Sequence, residues 1–103
     1  AQEEIFGPVL SVMTFSSEQE AIELANGNAF GLAAYIATEN LSRVQRLGKR
    51  LSAGVIGIVA SNVMGEGYID LGAEGQKQSG LGYEGGLDGL KAYTTSSLIN
   101  CFF

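Results

Sequence analysis

Val55-Ile56-Gly57-Ile58-Val59-Ala60 is the stretch that decides the fold, because six apolar residues follow one another without a polar interruption. Such a run predicts a strand that is buried on both faces, as in a parallel sheet. Toward the N-terminus, the sequence predicts a helix from Asn40, a strand over residues 33–38, a helix from Ser17 and a strand over residues 9–15. This alternation predicts the α/β class, with right-handed crossovers and a parallel sheet.

Capping residues mark where the two helices begin. Ser17 lies three residues before Glu20, a spacing at which the hydroxyl and the carboxylate each satisfy a backbone N–H. This helix is expected to end at Asn26-Gly27, where glycine accepts the left-handed conformation. Its inward-facing residues are expected to be Ala21, Ile22 and Ala25. Asn40 can cap the second helix. The apolar stripe of that helix consists of Leu41, Val44, Leu47 and Leu51.

Glycine dominates the sequence that follows the apolar run. Over residues 61–86 it recurs too often for regular helix or strand, which predicts a long loop. Loops of this length inside compact domains are usually functional or mobile. A short helix around residues 86–92 and an apolar strand over residues 97–103 are predicted to complete the chain. That last strand leaves an apolar edge without a partner, so the core is expected to be incomplete until something else covers it.

The bulk composition limits the classes of function. At 103 residues the chain is one domain or part of one, and its net charge of −5 argues against a nucleic-acid partner. The sequence contains no run of about 20 apolar residues, which is the length needed to span a bilayer, and its start does not resemble a signal peptide. We therefore expect no membrane segment and a cytoplasmic location. With no histidine and one cysteine, Cys101, the sequence has no Cys/His zinc set, no internal disulfide and no histidine base.

Four of the six basic residues fall within eight positions of the second predicted helix. They are Arg43, Arg46, Lys49 and Arg50. One interpretation is a solvated helix face with cations near its C-terminal end, where the helix dipole favours them. The other is an anion-binding site, which would bind phosphorylated ligands in a salt-sensitive manner.

Two motifs carry chemistry beyond the helix and strand pattern. One is Glu3-Glu4-Ile5-Phe6-Gly7-Pro8-Val9, in which two acids and an aromatic precede a Gly-Pro break. By itself this run can be a loop that ends in a strand, with Pro8 fixing φ. The other is Gly75-Gln76-Lys77-Gln78-Ser79-Gly80-Leu81-Gly82-Tyr83-Glu84-Gly85. Three of its glycines match a dinucleotide fingerprint, but no strand precedes them, which argues against that role.

Both motifs resemble segments of the aldehyde dehydrogenase superfamily. The first resembles its Glu-x-Phe-Gly-Pro segment, and the second resembles its Gly-x-Lys-x-Ser-Gly-x-Gly-x-Glu loop. Two further segments lie in the family's order: Glu20-Ala21-Ile22 through Asn26 with Phe30-Gly31-Leu32-Ala33-Ala34, and Ser52-Ala53-Gly54. The resemblance covers nearly the whole chain, and it is to the C-terminal portion of a longer NAD(P)-dependent enzyme.

The resemblance implies a role for each part of the sequence. Residues 1–96 would be the C-terminal part of the catalytic domain, an α/β unit with a parallel sheet. Residues 97–103 would be a terminal strand that pairs with another subunit of a homo-oligomer. Glu4 would bond a nicotinamide-ribose hydroxyl of NAD or NADP, and Phe6 would pack against that side of the cofactor. The loop over residues 61–80 would border the entrance for the aldehyde substrate.

The resemblance also implies what this chain does not supply. The family's nucleophilic cysteine, general-base glutamate and NAD(P) domain belong to the remaining, N-terminal part of the enzyme, so the 103-residue chain is predicted to be inactive alone. Cys101 has no base or helix N-terminus nearby in the sequence, and we predict that it is structural. The alternative to the enzyme is a free-standing, non-catalytic α/β module for assembly or binding that uses the same apolar edge.

Several positions depart from the family pattern. Val59 stands where asparagine is common, and Tyr83 replaces an arginine. The tetrapeptide around Ala73, Gly72 to Gly75, replaces Pro-Phe-Gly-Gly, so the substrate-side phenylalanine is absent. The lysine usual near Ser97 is absent as well. These changes bear on substrate preference and leave both implied cofactor contacts intact.

Overall fold

The computed structural model describes residues 2–60 and 72–102. Within these ranges the chain forms three α-helices and six β-strands. In chain order they are α1 (Glu18–Asn26), β1 (Phe30–Gly31), β2 (Ala33–Ala37), α2 (Leu41–Gly48), β3 (Val55–Val59), β4 (Ala73–Glu74), β5 (Gln76–Lys77), β6 (Tyr83–Glu84) and α3 (Gly86–Lys91). The predicted mixture of helix and strand is therefore confirmed, as is the short helix expected around residues 86–92.

The parallel pair of β2 and β3 is the centre of the fold. The strands run side by side from Ala33 opposite Val55 to Ala37 opposite Val59, and α2 connects them. This confirms the two strands predicted over residues 33–38 and 55–60. Burial of β3 on both faces was wrong for this chain: Val55 is 38% exposed and Val59 42% exposed. The reason is that, among the described residues, β2 and β3 form a two-stranded sheet, and such a sheet cannot cover itself.

Helix α1 begins as its capping residues predict. The Ser17 hydroxyl accepts a hydrogen bond from the Glu20 backbone N–H at 3.1 Å. The Glu20 carboxylate accepts one from the Ser16 N–H at 2.8 Å, so it satisfies the backbone one residue before the cap rather than at Ser17 itself. Ile22 is buried as predicted, but Ala25 is exposed. Gly27 was also predicted wrongly: its φ is −74°, because the chain leaves the helix in a right-handed turn that returns its N–H to the Leu24 carbonyl.

Helix α2 begins at the predicted cap but has no buried side. The Asn40 side chain accepts a hydrogen bond from the Arg43 N–H at 3.0 Å. Val44 and Leu47 of the apolar stripe are half-buried, whereas Leu41 is 70% exposed. The pattern therefore predicted the helix correctly, and the stripe still lacks most of its cover.

The glycine-rich region is more ordered than a loop in the part that is described. Residues 61–71 of the predicted loop lie outside the described residues. Beyond them, β5 pairs antiparallel with β1, and β4 pairs antiparallel with β6. The prediction of a continuous loop was wrong here, because glycines with positive φ, such as Gly72 at 76° and Gly82 at 83°, turn the chain sharply enough for two-residue strands to meet.

The apolar segments near the two ends of the chain, residues 9–15 and 97–102, form neither helix nor strand. Residues 9–15 were predicted to form a strand but have no ladder partner within the described residues, and Val12 is 79% exposed. Residues 97–102 likewise form no strand in this chain, and Phe102 is 92% exposed. A strand is defined by its neighbour, so an apolar run alone does not create one. Pairing of residues 97–103 with another subunit stays a prediction.

The expected incompleteness of the core is confirmed. The buried hydrophobic residues among those described are Ile22, Ile36 and Ala53. The accessible surface is 8922 Å², whereas a folded monomer of this mass exposes about 5,500 Å². The radius of gyration is 18.3 Å, against about 13 Å for a compact domain of this length. Within the described part of the chain, no helix is long and apolar enough to cross a membrane.

Candidate functional site

Glu4 and Phe6 lie in the N-terminal segment, outside any helix or strand, and the structure places them differently. Glu4 lines a cavity of about 420 Å³. Phe6 is not among the described residues that line this cavity; its ring is 92% exposed, and its φ of 51° is in the left-handed region. A positive φ is uncommon for an aromatic residue. The backbone thus changes direction at Phe6 directly before Gly7 and Pro8.

Three segments that are distant in sequence build the cavity, which we call the Glu4 cavity. Its walls are formed by the segment that runs from Ala25 in α1 through Asn28 to residues 30–34, by residues 51–53 before β3, and by Gln78 and Ser79 of the glycine-rich motif. Each segment overlaps one of the family-like motifs found in the sequence. The structure therefore brings parts of those motifs together at one cavity that Glu4 also lines.

Lys77 joins the glycine-rich motif to the end of α1. Its Nζ donates to the Asn26 carbonyl at 2.9 Å and to the Asn28 carbonyl at 3.1 Å. The last carbonyls of a helix have no partner within the helix and carry its negative dipole end, so a cation is favourable there. Beside this contact, the Ser79 hydroxyl accepts a hydrogen bond from the Gly31 N–H at 2.8 Å.

Asn26 at the end of α1 and Gln76 in the glycine-rich motif both bind the segment before β3. The Asn26 side chain donates to the Arg50 carbonyl at 2.8 Å and accepts from the Ser52 N–H at 2.9 Å. The Gln76 side chain donates to the Ala53 carbonyl at 3.1 Å. We call the contacts of Asn26, Gln76, Lys77 and Ser79 the polar junction. It fixes the walls of the Glu4 cavity relative to one another.

Two glycines allow the backbones of the junction to approach closely. A Cβ on Gly31 would lie 2.5 Å from the Ser52 carbonyl oxygen, and a Cβ on Gly54 would lie 1.7 Å from the Glu74 carbonyl oxygen. Both neighbours are backbone atoms and cannot rotate away. Glycine is therefore required at both positions for steric reasons rather than for flexibility.

Helices α1 and α2 are tied together by the Glu18 carboxylate. Arg46 forms two hydrogen bonds with it at 3.0 Å, and Arg43 lies 3.5 Å from it. These contacts, the hydrogen bond to Arg46 above all, hold the pKa of Glu18 below its ordinary value. Arg50 also donates to the side chain of Gln19. Engaged arginines favour the solvated-face interpretation of the basic cluster over an anion site.

The pH dependence of stability should report the Glu18 pair. Because the pKa is lowered on folding, the pair stabilises the folded state fully above the ordinary value of 4.5 and loses that contribution as the pH falls below it. We expect Glu18→Gln to lower the urea midpoint slightly at pH 7 and not at all in strong acid. High salt should reduce the difference in urea midpoint between Glu18→Gln and the parent protein, since salt screens an exposed ion pair. A difference that stays constant across this acid range would contradict the assignment.

Other chemistry is sparse in the part of the chain that the structure covers. There, no group of three or more Cys, Asp or Glu side chains could hold a metal ion. Cys101 is a free and exposed thiol, so the structure gives it no packing role in this chain. The structural role predicted for it stays a prediction for an assembled protein.

Sequence reasoning identified the motifs but missed the side chains that connect them. The sequence predicted Asn26 only as the end of a helix within a motif, and it gave Gln76 and Lys77 no role beyond belonging to a motif. In the structure each of the three makes a long-range contact. The sequence offered one signal for such a contact, which was the presence of Lys77 in a glycine-rich run. No long helix or strand is predicted there to hold the lysine side chain. Its partner could not be predicted from local pattern.

Comparison with known proteins identifies the family. The family model described as the aldehyde dehydrogenase family matches residues 1–99. The chain therefore belongs to the aldehyde dehydrogenase family, as the motifs predicted.

Solved structures agree with this assignment. Betaine aldehyde dehydrogenase from Staphylococcus aureus matches with 37% identity and a TM-score of 0.78, over 99% of this chain and 22% of that one. An NAD-dependent aldehyde dehydrogenase from Sinorhizobium meliloti matches with 42% identity and a TM-score of 0.78, over 89% and 18%. Indole-3-acetaldehyde dehydrogenase from P. syringae, solved with NAD+, matches with 41% identity and a TM-score of 0.80, over 91% and 18%. The chain thus spans about a fifth of the length of these enzymes.

Proposed function

We propose that this chain acts as the C-terminal part of an NAD- or NADP-dependent enzyme that oxidises an aldehyde to a carboxylic acid. The observation that carries the proposal is Glu4, which lies at a cavity built from three family motifs. Residues 1–96 would complete the catalytic domain, whose parallel sheet would extend beyond β2 and β3. Residues 97–103 would pair with another subunit of a homo-oligomer. The cytoplasmic location stays a prediction.

The residues around Glu4 suit one part of a dinucleotide. An ionised carboxylate has two acceptor oxygens, and the ribose hydroxyls of NAD or NADP are donors. A volume of about 420 Å³ is large enough for part of a cofactor. The cofactor would supply the hydride acceptor. Glu4 would orient it by accepting a charge-assisted hydrogen bond from a ribose hydroxyl, which would help to place the nicotinamide for hydride transfer.

Phe6 would supply an apolar contact beside that hydrogen bond. Its ring is 92% exposed in this chain, and its backbone is in the left-handed region with a φ of 51°. An aromatic face of this kind gains contact area by packing against a flat group. In the complete enzyme, the ring would limit water access on the side of the ribose held by Glu4.

Substrate preference would depend on the glycine-rich region. Ala73 and Tyr83 occupy its two antiparallel strands β4 and β6, and both depart from the family pattern. Ala73 is half-buried and small, so it leaves space where the family's phenylalanine would stand. By resemblance, residues 61–80 would border the aldehyde entrance, and the missing ring would admit a bulkier aldehyde.

The test of this function is Glu4→Gln in the complete enzyme. The change keeps size and hydrogen-bonding capacity but removes the charged acceptor, and charge-assisted bonds contribute about 1.5–3 kcal/mol. We expect a loss of about tenfold or more in the single-turnover rate of hydride transfer or in cofactor affinity. Cysteine-dependent hydrolysis of an activated ester should change less, because it needs no hydride transfer.

Glu3→Gln is the matched control, since it makes the same change one residue away in the same exposed segment. It should leave both reactions unchanged. The isolated 103-residue chain is the blank and should show no turnover with NAD or NADP, because the nucleophilic thiolate is absent. Equal kinetics for Glu4→Gln and Glu3→Gln would refute the role of Glu4.

The non-catalytic assembly module is the alternative. It would use the same exposed apolar ends, and it differs from the enzyme in the size of the natural polypeptide. Intact-mass analysis separates the two: a natural product of 103 residues supports the module, and a product several times longer supports the enzyme.

A further inference from the structure

We propose that Lys77 is a positioning residue that holds the Glu4 segment in place through the turn at the end of α1. This inference rests on the proposed function of Glu4 and extends it to a residue in the opposite half of the chain. It is carried by two contacts that meet at one turn. Lys77 binds the carbonyls on either side of Gly27, and Gln2 binds the carbonyl of Gly27 itself.

The first contact fixes the turn. The Lys77 ammonium lies 2.9 Å from the Asn26 oxygen and 3.1 Å from the Asn28 oxygen, so it pulls two carbonyls toward one point. Around it, the Gln78 N–H donates to the Ala29 carbonyl at 2.9 Å. Residues 26–29 are therefore held from one side by the glycine-rich motif.

The second contact connects this turn to the candidate cofactor residue. The Gln2 side chain donates to the Gly27 carbonyl at 3.3 Å. Gln2 lies two residues before Glu4, and Glu4 lines the same cavity as Asn28 and Gln78. Since the segment around Glu4 belongs to no helix or strand, this anchor and the cavity wall determine where the carboxylate lies.

Lys77 makes this contact from an uncommon backbone conformation. Its φ is 55°, in the left-handed region, which is uncommon for a residue with a long side chain. The side chain is exposed, so its hydrogen bonds gain little from burial. The main effect of the ammonium is therefore on geometry rather than on overall stability.

A double-mutant cycle in the complete enzyme tests the proposal. Lys77→Met removes the ammonium and keeps the length of the side chain. We expect the single-turnover hydride-transfer rate to fall about tenfold, because small displacements of a positioning group are costly. Combined with Glu4→Gln, Lys77→Met should cause no further loss, since it acts through Glu4. Lys77→Arg, which keeps the charge, should recover part of the rate.

Two further variants complete the test. Lys91→Met makes the same change at an exposed lysine of α3 that pairs with Asp88 at 2.8 Å, and it should leave hydride transfer unchanged. Gln2→Leu removes the hydrogen bond to the Gly27 carbonyl at the other end of the same connection, so it should reproduce part of the loss in hydride-transfer rate. This variant tests the connection even if Lys77→Met does not fold. Hydrogen exchange at residues 26–31 should rise in Lys77→Met and stay unchanged in Lys91→Met.

The possible failures are distinguishable. If the losses of Lys77→Met and Glu4→Gln multiply, Lys77 does not act through Glu4, and the proposal is wrong while the function of Glu4 stands. If Gln2→Leu has no effect on hydride transfer, the connection through Gly27 is wrong. If Glu4→Gln alone has no effect, the proposed function fails, and the positioning role fails with it.

Discussion

Gly54→Ala is expected to lower the stability of the protein by about 3 kcal/mol or more, the range of severe steric substitutions. The new Cβ would lie 1.7 Å from the Glu74 oxygen and 2.8 Å from the Glu74 carbonyl carbon. Contacts this short force the backbone of β4 away from the segment before β3. The polar junction would open with it, because Gln76 follows Glu74 by two residues and binds the Ala53 carbonyl.

Gly48→Ala is the matched control for this prediction. Gly48 is the last residue of α2, and a Cβ there meets no atom within 4 Å. The substitution should be neutral or should stabilise the protein by about 0.4–1 kcal/mol, since alanine loses less backbone entropy on folding. Thermal and urea unfolding of both variants in the complete enzyme give the comparison. Similar midpoints for the two variants would show that β4 does not approach Gly54 in solution.

Deleting residues 97–103 is expected to shift the complete enzyme toward smaller oligomers. Leu98, Ile99 and Phe102 are 84–92% exposed in this chain. Such a long apolar edge in water promotes aggregation unless another chain pairs with it. Light scattering of the deleted protein should therefore give a lower mass, while circular dichroism should show that α1 and α2 remain folded.

A point substitution separates pairing from simple loss of the chain end. Ile99→Asp places a charge in the apolar segment and should lower the oligomer mass as the deletion does. Thr95→Asp places the same charge just before the segment and should leave the mass unchanged. An unchanged mass for the deleted protein would mean that residues 97–103 pack within their own subunit, so that the interface must lie elsewhere.

Local elements of the fold could be predicted because their causes are local. Ser17 and Asn40 mark the helix starts with side chains that cap backbone groups three residues away. The β2 and β3 strands followed from apolar runs separated by one helix. The same reasoning was wrong for residues 9–15, because an apolar run favours a strand but cannot supply the neighbour that completes it.

The candidate site was predictable only as a set of motifs. Glu4 and Phe6 were singled out by resemblance, and the geometry adds that Glu4 lines a cavity and that Phe6 does not. The partners of Lys77 were missed because they lie 49 and 51 residues away along the chain. No periodicity or cap signal extends that far, so contacts of this kind depend on the whole tertiary structure.

The long separation between Lys77 and the end of α1 has a consequence for synthesis on the ribosome. Asn28 is made 49 residues before Lys77. At usual elongation rates of about 5–20 residues per second, Lys77 is added to the chain roughly 2–10 seconds after Asn28. Helix α1 and the β2–α2–β3 unit precede the glycine-rich motif in the sequence, so all of their residues are made before Lys77 is added. The polar junction therefore cannot form until the glycine-rich motif has been made, and until then the Glu4 cavity lacks the wall that Gln78 and Ser79 supply.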